Sequence, residues 1–197
     1  MSFKPYDILS ALIPGFLVLL AFLSFFEQEY NKDYVIAYTA IAFLIGFMVN
    51  SLSSWLEDFY YFTWGGKPSD KLLDGNNIWK VKFYEHEKAK KNLKQKSGKP
   101  NPTNDNLFAI AMRYSNSQKD SRVQDFNANY AFARVLLTTM LLITIVLIST
   151  HYSDWKYYVV LIPILIIIWL RCKQRAYYYV REVLNEYLKG NECTSSN

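Results

Sequence analysis

The sequence predicts an all-α membrane protein: a bundle of four transmembrane helices, with a helical cytosolic segment between spans two and three and a C-terminal cytosolic helix. Three observations carry that prediction. Apolar residues make up 51% of the 197-residue chain and come in blocks, not scattered at amphipathic spacing. Four of those blocks approach or reach the length, about 20 mostly apolar residues, that a helix needs to cross a hydrocarbon core about 30 Å thick. The charged remainder is lopsided, with Lys and Arg falling almost entirely on one side of the implied topology.

The spans follow in order. Span one is "YDILSALIPGFLVLLAFLSFF" (6–26), with one acid, Asp7, at its edge. Lys4 precedes it as in a secretory leader, but the block is longer than an h-region and no small-x-small cleavage site follows, so it is expected to be retained. Span two is "YVIAYTAIAFLIGFMVNSLSSW" (34–55), span three "YAFARVLLTTMLLITIVLIST" (130–150) and span four "WKYYVVLIPILIIIWL" (155–170). The fourth is short, so Lys156, Arg171 and Lys173 are expected to snorkel. Pro14-Gly15 and Pro163 mark candidate kinks. Five segments result: a transmembrane hairpin (1–64), a basic cytosolic segment (65–129), a second hairpin (130–171), a C-terminal cytosolic helix (172–189) and a flexible tail (190–197).

Charge sets the expected orientation. Of 22 Lys and Arg, the loop from Lys67 to Arg134 holds 14, the tail from Arg171 five and the start Lys4, whereas the hairpins "EQEYNKD" and "HYSDWK" hold one each. The positive-inside rule then puts both termini and the long loop on the cytoplasmic side of the membrane. Thirteen of the 17 acids share that side, leaving a modest positive excess that suits anionic lipid headgroups or a phosphate ligand. Cys172 and Cys193 both fall on the reducing side, and no disulfide is expected.

Within the loop, the aromatic cluster "DFYYFTW" (58–64) suits an interfacial belt, and "GGKPSD" breaks the helix. The stretch 78–96 reads as an amphipathic helix running into a lysine-rich face, and "SGKPNPTND" as a loop. Asn104 or Asp105 is expected to cap a helix through about Ser115. A further helix is expected from Asp120 or Ser121, with Val123, Phe126, Tyr130 and Ala133 keeping helical spacing into span three. The stretch "RCKQRAYYYVREVLNEYLK" likewise continues below span four, so two membrane helices are expected to project as stalks.

Span two is the chemically distinctive helix. At 100° per residue, Thr39, Ala42, Gly46, Asn50, Ser53 and Glu57 share a sector roughly 80° wide, opposite Ile41, Met48, Leu52 and Trp55. One reading is a packing seam, since membrane helices associate through small residues and through Ser, Thr and Asn bonding across the contact. Another is a water-filled pathway, in which an Asn, Ser and Glu ladder repeated around an oligomer forms rings, and a third is a polar end of the span with no special role. Four helices in one small chain enclose little water, so the second reading requires a homo-oligomer with Glu57 at the inner mouth.

The basic loop has three readings: a soluble face near anionic lipid, a phosphate-neutralising surface for a nucleotide or oligonucleotide second messenger, and a docking face for a cytosolic protein partner. Lys80, Lys82, Lys88, Arg113, Lys119 and Arg122 are its candidate binding residues. No P-loop, Rossmann fingerprint, H-E-x-x-H, G-x-S-x-G or C-x-x-C occurs, and His86 and His151 are expected on opposite sides of the membrane. Neither catalysis nor a cofactor or metal is expected.

Four spans, the opening "YDILSALIPGFL", a basic segment before "NYAFARVLL" and the tyrosine-rich "RAYYYVREVL" together resemble the small multi-pass membrane effectors of bacterial anti-phage defence systems, such as the membrane subunits of Hailong and Kiwa. The resemblance implies a homo-oligomer of a bacterial inner (plasma) membrane that senses infection on its cytosolic side, through a nucleotide or a partner protein, and alters membrane permeability; a gated ion channel is the first expectation. A scaffold that anchors a cytosolic effector and conducts nothing is the competing expectation.

Overall fold

The computed structural model describes residues 5–78, 80–118 and 121–195, leaving aside the side chains of residues 5–7 and 191–195. These residues form α1 (Pro5–Phe25), a 3-10 turn (Lys32–Tyr34), α2 (Val35–Trp55), α3 (Glu57–Thr63), α4 (Pro68–Leu73), α5 (His86–Ser97), α6 (Asn104–Ser117), α7 (Val123–Thr150) and α8 (Trp155–Ser195). The protein is all-helical, and α1, α2, α7 and α8 are long and apolar enough to cross a membrane. It divides into two compact units, one built from residues up to Asp58 with Phe132–Cys172, the other from Phe59–Ala131 with the chain from Lys173. They are called here the span unit and the loop-and-tail unit.

In the span unit, α1 and α2 approach at backbone distance. A Cβ at Gly15 would overlap the carbonyl of Ala42, and one at Gly46 would overlap the carbonyl of Ala11. The pairings run in opposite order along the two helices, so the hairpin is antiparallel. Val18, Val49 and Val135 then cluster, with Ile45 and Leu142 against them, bringing α7 onto the hairpin. Thr138 and Thr139 are buried, and their hydroxyls donate to the carbonyls of Arg134 (3.1 Å) and Val135 (2.9 Å) one turn back. Large hydrophobic side chains such as Phe47, Met48, Ile166 and Ile167 are exposed, as suits helices whose solvent is lipid.

The loop-and-tail unit has a core of the kind water imposes. Leu72 and Leu73 of α4, Ala89 and Leu93 of α5, and Leu107 and Ala111 of α6 close around Tyr177, Val183, Leu184 and Tyr187 of α8. Each fully buried Leu or Val contributes about 1.5–3 kcal/mol relative to exposure. The Ser115 hydroxyl lies within hydrogen-bonding reach of the carbonyls of Ala111 (2.9 Å) and Val183 (3.0 Å), tying α6 to α8.

Several local expectations are corrected. The helix expected over 78–96 begins only at His86. Before it, Ile78 and Val81 form an isolated antiparallel bridge, Val81 and Phe83 are buried and Lys80 and Lys82 exposed. That alternation is a period of two, and the Phe83 amide donates to Asn77 Oδ1 (2.7 Å) to hold it. The "GGKPSD" stretch ends α3 but also starts α4: Gly65 and Gly66 take φ of 80° and 125°, and Pro68 sits where its missing N–H costs nothing. Thr103, not Asn104 or Asp105, caps α6 by accepting from the Asn106 amide (3.3 Å), and the helix continues to Ser117. α7 starts at Val123, whose amide donates to Ser121 Oγ (3.2 Å). α8 continues to Ser195, past residue 189, the end expected for the C-terminal helix.

Candidate functional site

The face of span two singled out from the sequence divides in the structure. Ala42, Gly46 and Ser53 are buried, the first two against α1. Ser53 Oγ donates to the Asn50 carbonyl (2.7 Å). Thr39 and Asn50 are exposed. The Thr39 hydroxyl donates one turn back to the Val35 carbonyl (2.8 Å) and is satisfied there. The Asn50 side-chain amide finds no hydrogen-bond partner among the described residues. Leu52, expected on the opposite face, is partly buried, whereas Ile41, Met48 and Trp55 are exposed.

Glu57 closes the stripe in a different role. Its Oε1 accepts from Arg134 Nη1 at 2.7 Å, and Arg134 Nη2 donates to Ser54 Oγ at 3.2 Å. The Arg134 side chain is 11% exposed and that of Glu57 29%. Cys172, a buried free thiol of α8, lies close enough to feel both charges. Arg134 is not among the site residues expected from the sequence. Its signal was present: "YAFARVLL" places one cation inside an apolar run, which by itself calls for a named acid partner. In span three the Thr144 hydroxyl is buried with no partner among the described residues.

The candidate binding residues of the loop are exposed where they are described: Lys80 and Lys82 in the bridge turn, Lys88 on α5, Arg113 on α6 and Arg122 before α7. Lys119 lies outside the described residues. Lys88 meets Glu85 at 3.8 Å, and the Arg122 guanidinium lies 5.5 Å from the centre of the Phe126 ring. Other lysines hold the unit together. Lys67 pairs with Asp105 (2.9 Å), Lys90 with Asp74 (2.6 Å), and Lys96 lies over the rings of Tyr114 (5.0 Å) and Tyr187 (5.5 Å).

These ion pairs shape the local electrostatics. The Lys90 hydrogen bond holds the Asp74 carboxyl below its ordinary value, helped by the Asn104 amide at 3.1 Å. Burial, with Asp105 nearby, pushes Asp70 up. Among the described residues no three His, Cys, Asp or Glu side chains gather as a metal-holding group.

No family model, curated protein or solved structure matches the chain.

Two chemically distinct places therefore stand out from the residues themselves. One is an unsatisfied amide, Asn50, on a helix whose other exposed residues are mostly large and apolar. The other is a guanidinium and carboxylate pair, with a hydroxyl on the second arm of the fork, joining α7 to the junction of α2 and α3. The first presents two donors and one acceptor outward, and the second holds its charges inward.

Proposed function

We propose that the protein is an oligomeric effector of a bacterial inner membrane, in which span two of each copy borders a gated ion pathway. Control comes from a nucleotide ligand or protein partner at the loop-and-tail unit, on the cytoplasmic side with both termini, and the role is anti-phage defence. Asn50 carries this reading. An amide facing hydrocarbon is costly unless something bonds to it, and either water in a pathway or the same residue of another copy does so. The small residues of span two are already engaged with α1 inside one copy, so Asn50 is the part of the stripe left for the assembly. The basic charge of the loop supports an anionic ligand, and the layout of four spans supports the defence role.

The test is ion flux from liposomes containing the purified protein, alone and with lysate of phage-infected cells. Wild-type protein is expected to dissipate a potassium gradient under one of these conditions. Asn50→Leu is expected to change the flux by about tenfold or more while the particle keeps its size. A protein that passes no ions under either condition overturns the pathway.

A non-conducting scaffold is then the surviving reading. The loop-and-tail unit has its own core, threaded by α8 of the membrane helix set. That suits a rigid platform for a soluble partner as well as it suits a sensor.

A further inference from the structure

We infer that the Glu57 and Arg134 pair is a latch whose release admits water, so that parting α7 from the junction of α2 and α3 and hydrating both charges are one event. The inference deepens the pathway reading and rests on it for what opening accomplishes. The geometry is specific. Ser54 and Glu57, three residues apart at the end of α2 and the start of α3, are held by the two arms of one guanidinium at 3.2 and 2.7 Å. A planar fork with fixed donors engages two residues in this way, and a lysine ammonium does not reproduce it.

Burial makes the contact two-state. With Arg134 only 11% exposed and Ala133 and Val135 buried beside it, a pair that parts without admitting water would forfeit its charge-charge contact and gain no hydration in return. Such a state is strongly disfavoured, whereas the paired state and the fully hydrated state are each tolerable. A switching element requires such discrete alternatives. The Arg134 carbonyl accepts from Thr138, so the cation is mounted on an intact turn of α7.

Cys172 supplies a native reporter. Its thiol is fully buried and lies within electrostatic reach of both charges, so water that reaches the pair also brings in a charged thiol reagent. The experiment uses full-length Cys193→Ser protein in phosphatidylethanolamine and phosphatidylglycerol vesicles and measures modification of Cys172 by a membrane-impermeant methanethiosulfonate. Slow modification is expected in the reference protein. Glu57→Gln, which keeps the shape and removes the charge, is expected to raise the rate by at least about tenfold. Arg134→Lys should raise it less, and the exchange Glu57→Arg with Arg134→Glu should return it toward the reference. Should Glu57→Gln fail to fold, Arg134→Lys and the exchange carry the test. A rate unchanged in the single variants overturns the latch, as does an exchanged pair that reacts as fast as the singles. If Cys172 follows the pair but the vesicles pass no ions, the latch stands and the pathway falls. If ions pass while Cys172 ignores the pair, the pathway stands and the latch falls.

Discussion

The span unit and the loop-and-tail unit are built from one chain under opposite rules. In the first, Phe47, Met48, Ile166 and Ile167 are exposed, while Gly15, Ala42, Gly46, Ser53, Thr138 and Thr139 are buried. In the second, Leu72, Leu93, Leu107, Leu184 and Tyr187 are buried, and Lys80, Lys82, Lys88 and Arg113 are exposed. The inversion follows from solvent. Water drives apolar side chains together, so the loop-and-tail unit needs bulk inside. Lipid tails are as apolar as Leu and exert no such drive, so the spans gain from backbone proximity and from hydroxyls that satisfy themselves one turn back. The same substitution should therefore act differently in the two units.

The largest expected effect comes from removing bulk where water set the rule. Leu184 has no exposed surface and touches a core drawn from α4, α5, α6 and α8. Leu184→Ala is expected to cost about 2–5 kcal/mol and to show as early denaturant unfolding of the loop-and-tail unit, with the spans still helical by circular dichroism. The next effect comes from adding bulk where lipid set the rule. Gly46→Ala places one methyl group against the Ala11 backbone carbonyl, which cannot rotate away as a side chain would. A loss of about 1–3 kcal/mol is expected in the span unit, seen as a lower melting temperature in detergent and faster proteolysis at the α1 and α2 turn. If an added methyl were harmless at Gly46, the contrast drawn between the units would fail.

How much of this was legible depended on the range over which each feature is encoded. The four long helices were readable because an apolar block is local and its length is what the bilayer requires. α4 was not, because Gly65 and Gly66 announce a break and only Pro68 hints that a new helix follows. The bridge turn before His86 was lost among lysines that also suit a helix, although the alternation of Lys80, Val81, Lys82 and Phe83 carried the correct period. For the candidate site, the wheel of span two grouped its small and polar residues but could not divide them. Which ones α1 covers depends on the register of Ala11 with Gly46 and of Gly15 with Ala42, a tertiary fact. Arg134 and Glu57 meet across the whole intervening loop, and only the physical rule that a cation within an apolar run needs a partner would have sought the pair.

The smallest expected effect sharpens the comparison within the water-governed unit, where charge acts at the surface. Asp74 and Asp70 sit one turn apart at α4, and their carboxyls are displaced from the ordinary value of 3.8 in opposite directions. For Asp74, lowered by the Lys90 hydrogen bond, the stabilising contribution is present above pH 3.8 and is lost as pH falls through the depressed value. For Asp70, raised by burial and by Asp105, the contribution is present below pH 3.8 and is lost as pH rises through the raised value. At pH 7, Asp74→Asn should therefore lower the melting temperature of the unit, and Asp70→Asn should raise it. Solvent screens both groups, so each shift should be small, on the order of 2 °C. As pH falls, the Asp70 shift should shrink through its raised value and be gone below 3.8, whereas the Asp74 shift should shrink only below 3.8, as its carboxyl is protonated at the depressed value. Melting curves of the two variants at pH 7 and pH 3 decide the matter. Opposite signs at pH 7 that converge in acid show the acids acting by charge, whereas equal signs at both pH values show that shape and hydrogen bonding at α4 outweigh it.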